Sequence, residues 1–159
     1  MSIKIPINLE HLQNLDLSPI EKIIEKALEE QNILNQEQQI NFEINYPREP
    51  GDPRELSEIS EVRLWFIRLD CRYPWLPFLL DWKSGELSRY TAMLVPHQFS
   101  KKDGIQYNPE GLEIFIMSKI FVLGEFLGKM GIPSQSRLKS MSKMFGYEID
   151  DQFFAFLEK

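Results

Sequence analysis

Three side chains of this sequence belong to the types that carry out nucleophilic chemistry: Asp70, the single cysteine Cys71, and His97. A cysteine beside a histidine can act as a nucleophile, because the imidazole takes up the thiol proton. Cys71, however, stands in a stretch rich in Trp and Leu, where a lone cysteine usually fills a hydrophobic core. A small hydrolase or transferase with a site around these three residues is therefore a second hypothesis, beside that of a protein that only binds a partner.

Metal and cofactor chemistry find less support in the sequence. Neither histidine, His11 or His97, stands at metal-ligand spacing from the other or from Cys71. The sequence also contains no glycine-rich phosphate loop, nucleophile elbow or dinucleotide fingerprint. We therefore expect no metal and no cofactor.

Composition indicates an ordinary globular protein. The chain has 159 residues, of which 43% are hydrophobic and 26% are charged, and this length suits one domain with a substantial core. We predict a single α+β domain over residues 1–159. One cysteine excludes an internal disulfide, and the start lacks the features of a signal peptide, so we expect a reducing compartment.

The formal net charge of −6 is unevenly distributed. Residues 1–61 carry five Lys and Arg against thirteen Asp and Glu, whereas residues 62–159 carry thirteen against eleven. An acidic balance argues against nucleic acid as a partner, because the phosphate backbone attracts basic proteins. A recognition helix built on Arg137, Lys139 and Lys143 is the weaker interpretation of the basic residues near the end of the chain.

The stretch over residues 63–82, RLWFIRLDCRYPWLPFLLDW, contains all three tryptophans. We predict a buried central strand here, because Pro74 and Pro77 would break a helix. Arg68, Asp70 and Arg72 alternate at period two and would point to one side of an extended chain. They either form an Arg and Asp pair at the edge of the core or belong to a surface that binds a partner.

Periodicity predicts the remaining elements. Half-buried strands are expected over residues 3–9 and 40–46, and Gly85 is expected to form the turn of a hairpin between LPFLLDW and LSRYTAMLVP. Helices are expected over 19–35, 110–130 and about 134–145, and from Asp150 onwards. The predicted fold class is α+β, with a mainly antiparallel sheet of about four to five strands centred on residues 62–70 and covered by helices 19–35 and 110–130.

Four sequence strings carry a resemblance to a known family: RLWFIRLDCRYPWLPFLLDW, GELSRYTAMLVPHQFS, IQYNPEGLEIFIMSKIF and IPSQSRLKSMSKMFGYEIDDQFF. They resemble the chlororespiratory reduction six family. Its members are assembly factors, not enzymes, for the photosynthetic NAD(P)H dehydrogenase-like complex (NDH complex) of cyanobacteria and chloroplasts, and are associated with maturation of its iron–sulfur, ferredoxin-like subunit I.

The resemblance implies a chaperone-like protein that binds subunit I and carries no integral membrane segment. Plant members carry a transit extension and work in the stroma. Because no such extension is present in this sequence, the resemblance implies a cyanobacterial, cytoplasmic form.

We predict the partner-binding surface from the concentration of Trp, Tyr and Arg, which dominate the energetics of protein interfaces. A hairpin around Gly85 would bring Asp81 and Trp82 close to Arg89 and Tyr90. Three cations of the later helix would steer an acidic partner: Arg137, Lys139 and Lys143. The predicted partner-binding residues are Arg68, Asp70, Arg72, Tyr73, Trp75, Asp81, Trp82, Arg89, Tyr90, His97, Gln98 and Phe99.

Overall fold

The structure is a computed structural model that describes residues 3–29, 33–100 and 102–157. The chain divides into two compact units, Met1–Gly111 and Leu112–Lys159. The described residues form seven α-helices and two sheets of two strands each. None of the helices in these ranges is long and apolar enough to cross a membrane.

The first unit begins with a parallel pair of strands, β1 (Ile3–Asn8) and β2 (Ile40–Asn45), in which Ile5 lies opposite Phe42. Both strands were expected from their alternating apolar residues, and Ile5 and Phe42 are indeed buried. Their parallel direction differs from the predicted antiparallel sheet, because helices separate them along the chain. The connection contains α1 (Leu9–Gln13), α2 (Ser18–Glu29) and a 3₁₀ turn (Ile33–Gln36).

The helix predicted over residues 19–35 is shorter than expected. It corresponds to α2, and the 3₁₀ turn follows separately, while residues 30–32 lie outside the described ranges. The buried side of α2 consists of Ile20, Ile24 and Ala27. These positions recur at helical spacing, so the amphipathic pattern identified the helix correctly.

The central strand predicted over residues 62–70 is wrong, because this segment forms helix α3 (Ser60–Arg72). Proline breaks a helix from an interior position, but Pro74 and Pro77 both follow the last residue of α3. Pro74 prevents the helix from continuing, and Pro77 lies in a separate 3₁₀ turn (Leu76–Phe78). The buried residues lie at positions i, i+3, i+4 and i+7, which is the spacing of one helix face. They are Val62, Trp65, Phe66 and Leu69.

The hairpin predicted around Gly85 is also wrong. Gly85 does have a positive φ of 85°, but it precedes helix α4 (Glu86–Leu94) instead of joining two strands. The segment before it, around Leu80, runs beside β2 and makes an isolated parallel bridge with Ile40. Six of the nine residues of α4 are buried, among them Leu87, Tyr90 and Thr91 at helical spacing, so LSRYTAML forms a largely buried helix.

A short antiparallel hairpin completes the regular structure of the first unit. It consists of β3 (His97–Ser100) and β4 (Gly104–Tyr107). The described residues therefore hold one parallel and one antiparallel pair of strands, not an antiparallel sheet of four to five strands. The predicted fold class is wrong because two of its strands are the helices α3 and α4.

The core of the first unit contains a chain of edge-to-face aromatic contacts. The ring centroids of Trp65 and Phe66 lie 5.1 Å apart, and Phe42 contacts both rings at 5.8 and 5.3 Å. Tyr90 continues the chain, 5.9 Å from Phe66. Each such pair contributes about 0.5–1.5 kcal/mol beyond its buried area. The aromatic residues of α3 therefore hold this helix against β2 and α4.

The second unit is helical, with α5 (Pro109–Lys129), α6 (Gln135–Met144) and α7 (Asp151–Leu157). These helices confirm the three expected in this part of the chain. The side chain of Asn108 accepts a hydrogen bond of 2.8 Å from the backbone N–H of Gly111, which caps the start of α5 as the sequence indicated.

Candidate partner-binding surface

The helical conformation of α3 changes how its charged residues are arranged. Residues two apart on a helix differ by about 200° in direction, so Arg68, Asp70 and Arg72 do not share one side as predicted. Arg68 and Arg72 are exposed and lie one turn apart, whereas Asp70 is half-buried. The two arginines can contact a partner together, and Asp70 has a different role.

Arg72, Tyr73 and Trp75 form a contiguous group at the end of α3, which we call the aromatic corner. Arg72 Nη1 lies 2.9 Å from Glu21 Oε1, and its guanidinium carbon lies 5.5 Å from the centroid of the Tyr73 ring. Tyr73 and Trp75 are half-buried and meet edge to face at 5.9 Å. Burial raises the pKa of Tyr73, and the neighbouring Arg72 opposes this shift. The group is thus partly ordered before any partner binds.

Asp70 is bound to Tyr90 within the protein. The Tyr90 hydroxyl donates a hydrogen bond of 2.7 Å to Asp70 Oδ1, and the Tyr90 side chain is fully buried. Burial raises the pKa of Tyr90 well above its ordinary value, and the Asp70 carboxylate adds to this shift. The predicted partner-binding residue Tyr90 therefore lies in the core, where it joins α4 to α3.

Asp81 and Trp82 are half-buried and make local hydrogen bonds. Asp81 accepts from the side-chain amide of Asn41 and from the backbone N–H of Ser84, both at 3.2 Å. The indole N–H of Trp82 donates to the carbonyl of Pro77 at 2.8 Å. Because Gly85 begins a helix, these residues do not face Arg89 and Tyr90 across a hairpin as predicted.

Glu86 and Arg89 close the edge of β2 beyond the bridge at Ile40. The Glu86 carboxylate accepts a hydrogen bond from the backbone N–H of Phe42, and Arg89 Nη2 donates to the Phe42 carbonyl and to Glu86, 2.9 Å from its Oε1. Burial raises the pKa of Glu86, and Arg89 opposes this shift. The Nε atom of Arg89 is buried without a hydrogen-bond partner. The two side chains thus bind the backbone of β2 at Phe42 where a neighbouring strand would otherwise bind.

A polar groove of about 710 Å³ lies beside this pair. Charged groups of both signs line it: Lys4 and Arg89, together with Glu43, Asp81 and Glu86. In the part of the chain that the structure describes, no three His, Cys, Asp or Glu side chains are placed to hold a metal ion. The groove thus offers polar contacts of both signs.

His97 is held between two other groups of the protein. Its Nδ1 lies 3.0 Å from the carbonyl oxygen of Val95, and its Nε2 lies 2.8 Å from Ser57 Oγ. Since a carbonyl only accepts, the neutral imidazole carries its proton on Nδ1 and accepts the Ser57 hydroxyl at Nε2. The next two residues of β3, Gln98 and Phe99, are exposed.

This geometry does not support the hypothesis of a hydrolase or transferase. Asp70 binds the Tyr90 hydroxyl, whereas His97 binds Ser57 and the Val95 backbone. Cys71 is exposed on α3, and the hydrogen bond of His97 that a nucleophile would need goes to Ser57 instead. The three residues have separate local environments.

The three cations predicted to steer a partner lie on α6. Arg137 donates to the carbonyl of Pro133, and Lys139 forms an ion pair with Asp151. Lys143 is exposed in the last turn of the helix. The charge of Lys139 is therefore partly compensated inside the second unit, whereas the carbonyl that accepts from Arg137 is neutral.

Two features were missed from the sequence. One is the closure of the β2 edge by Glu86 and Arg89, whose only signal is an acidic and a basic residue at positions i and i+3. The other is the outer side of α3, where Leu64 and Ile67 are exposed. Their spacing from the buried residues of the helix would have placed them on the opposite side, had a helix been predicted.

The residue types of the aromatic corner, arginine, tyrosine and tryptophan, are the types enriched among the strongest contacts of protein interfaces. No solved structure matches this chain. The model of the family described as Chlororespiratory reduction 6 matches residues 7–156, and the chain belongs to this family. Membership in this family supports a role in assembly of the NDH complex. The family is linked to chloroplasts and cyanobacteria.

Proposed function

We propose that this chain is a chaperone-like assembly factor that binds the peripheral iron–sulfur subunit I of the photosynthetic NDH complex. Family membership supports the assembly role, and the maturation of subunit I associated with this family supports the choice of partner. The proposed compartment is the cytoplasm of a cyanobacterium. The single cysteine cannot form a disulfide within the chain, which agrees with a reducing compartment.

The observation that carries the binding proposal is the aromatic corner. Its ion pair with Glu21 is partly exposed and contributes only about 0–1 kcal/mol to folding, so stability alone does not account for this ion pair. Tyr, Trp and Arg lose little conformational entropy on binding when they are already held in place. We propose that Arg72 and Trp75 are principal contacts, with Arg68, Tyr73 and the exposed Gln98 and Phe99 as further contacts.

The test is calorimetric titration of subunit I with the wild type and with the variants Arg72→Ala and Trp75→Ala. Each variant should weaken binding by about 2 kcal/mol, or roughly 30-fold, while circular dichroism shows an unchanged fold. Arg54→Ala is the matched control, because Arg54 is an equally exposed arginine in an ion pair with Asp52. Unchanged binding by both folded variants would move the interface elsewhere, and no binding by the wild type would exclude subunit I as the partner.

Steering by α6 is a separate part of the proposal. A triple variant in which Arg137, Lys139 and Lys143 are each changed to Gln should lower the association rate and its dependence on salt, with a smaller change in the dissociation rate. Stopped-flow measurement at two salt concentrations checks this. Equal association rates for variant and wild type would remove the steering role.

A further inference from the structure

Helix α3 carries a second apolar stripe on the side that points away from the core. Leu64 and Ile67 are 52% and 39% exposed, and Cys71 is also exposed. These three residues lie at positions i, i+3 and i+7, so they form one line along the helix. The buried residues around Trp65 lie on the opposite side. We call the line of Leu64, Ile67 and Cys71 the outer stripe.

The outer stripe is not needed by the fold. A helix at the surface of a globular protein normally has one apolar side and one polar side. Single exposed apolar residues are common, whereas contiguous exposed apolar patches often mark interaction sites, and the outer stripe is contiguous over about two turns of the helix. Within the first unit, Leu64, Ile67 and Cys71 remain partly exposed, so the described residues of this unit leave part of the stripe open.

The charges beside the outer stripe indicate the chemistry of its partner. Arg63 lies on one side of the stripe, and Arg68 and Arg72 lie on the other. Glu21 compensates Arg72 at 2.9 Å. Arg68 is exposed one turn away from a like charge, which is an unfavourable arrangement on an isolated helix.

The acidic residues of α3 do not balance its three arginines. They are Glu61 and Asp70, and Asp70 already accepts the Tyr90 hydroxyl. In a chain with a formal net charge of −6, this helix by itself has a net charge of +1. Because Glu21 compensates Arg72, the exposed positive charge next to the stripe is mainly that of Arg68. A complementary surface would present an apolar ridge with carboxylates beside it.

We propose that the outer stripe, together with Arg68, is a docking surface for a helix of another protein that has an apolar ridge and a row of carboxylates along one side. A helix of 13 residues is about 20 Å long, which matches four turns of a partner helix packed along it. The stripe leads through Arg72 into the aromatic corner, so one partner can contact both. The inference rests on the proposed function only for the choice of subunit I as one of the two test partners.

Cys71 provides a test in the unmodified protein, because it is the single cysteine of the chain and it stands at one end of the outer stripe. The defined probe is a synthetic helical peptide with a leucine ridge flanked by glutamates, and its control has lysines in place of the glutamates. Saturating acidic peptide should slow alkylation of Cys71 by iodoacetamide at least about tenfold, since alkylation requires an accessible thiolate. The lysine peptide should protect much less.

Variants identify the contacts. The double variant Leu64→Gln with Ile67→Gln should weaken binding of the acidic peptide at least about tenfold. Ile114→Gln on α5 is the matched control, because Ile114 is a helical isoleucine that is 71% exposed, and it should bind as the wild type does. Arg68→Glu should weaken binding and invert the preference between the two peptides, and Arg68→Lys should restore much of the preference for the acidic peptide.

Each result decides the inference separately from the proposed function. Failure of the acidic peptide to protect Cys71 at about 1 mM, the weak limit for a specific contact, would overturn the docking surface whatever subunit I does. Binding of subunit I without protection of Cys71 would overturn it as well, while the proposed function would stand. Protection by the peptide without binding of subunit I would keep the surface and reject that partner. Protection that rises with the protein's own concentration, with dimers in sedimentation, would show that a second copy covers the stripe and would overturn the proposal.

Discussion

Helices α2 and α3 both lie in the first unit, but different types of residue occupy their solvent-facing sides. In α2 the side opposite to Ile20 and Ile24 carries Lys and Glu, whereas in α3 the side opposite to Trp65 carries Leu64 and Ile67. An amphipathic helix such as α2 is explained by folding alone. Because α3 is apolar on two sides, folding explains only one of them, and the other is the surface that we propose binds a partner.

The same difference explains why the sequence identified one helix and not the other. The charged residues of α2 interrupt its apolar residues at a clear period of 3.6. In α3 the apolar residues of both sides come together in an unbroken run over residues 64–67, which hides the period of 3.6. Such runs are typical of buried strands, which is how α3 was predicted.

The largest expected effect concerns the inner sides of the two helices. Trp65→Ala should lower the free energy of unfolding by about 3–5 kcal/mol, because it leaves a cavity beside Phe42 and Phe66 and removes the hydrogen bond of 2.7 Å to the Asp16 carbonyl. Ile24→Ala on α2 should cost about 2–4 kcal/mol, since Ile24 is also fully buried. Urea denaturation measures both, and a loss below about 1 kcal/mol for Trp65→Ala would mean that this side of α3 is not the inner one.

Removing the hydrogen bond between α3 and α4 should lower the free energy of unfolding by less than Trp65→Ala does. Tyr90→Phe removes the hydroxyl that donates 2.7 Å to Asp70, and it should cost about 1–3 kcal/mol because the acceptor is a carboxylate. The matched control is Tyr107→Phe, which removes a hydrogen bond of 2.9 Å to the neutral carbonyl of Ser88 and should cost about 1 kcal/mol. Equal losses for the two variants in urea denaturation would argue against a special role of Asp70.

The outer sides should be nearly neutral for folding. Ile67→Gln on α3 and Lys22→Gln on α2 should each change the free energy of unfolding by less than about 1 kcal/mol, because Lys22 is exposed and Ile67 lies at the surface with 39% of its area exposed. Thermal and urea denaturation of both variants check this. A loss of more than about 2 kcal/mol for Ile67→Gln would show that the outer stripe contributes to the fold, and the comparison between the two helices would fail.

The smallest expected effect is the pH dependence of stability that Asp52 causes in the loop before α3. Hydrogen bonds and the charge of Arg54 lower the pKa of Asp52 from 3.8 to about 2. Since the pKa is lower in the folded state, the pair contributes stability above pH 3.8 and loses it as the pH falls towards 2. In an NMR titration Asp52 should titrate near pH 2 in the wild type and move towards 3.8 in Arg54→Gln. An unchanged titration in the variant would exclude Arg54 as the cause.

The sequence by itself determined the elements whose periodicity is clear and the family to which the chain belongs. Strands β1 and β2 follow from strict alternation, α2 and α5 follow from capping residues and a period of 3.6, and the strings after Arg63 indicated the family. These signals are local, because each depends on side chains within one or two turns of one another. They do not require knowledge of what the rest of the chain covers.

Only the tertiary structure decided the conformation of α3 and α4, the parallel direction of β1 and β2, and the residues that remain at the surface. Tyr90 was predicted for the surface and is buried, whereas Leu64 was predicted for a buried strand and is exposed. Likewise, Glu86 and Arg89 close a strand edge more than forty residues away in sequence, at Phe42. Burial is a property of which segments come together, and a continuous apolar run does not specify which of its sides is covered. In this protein, that choice separates the core from the surface proposed to bind a partner.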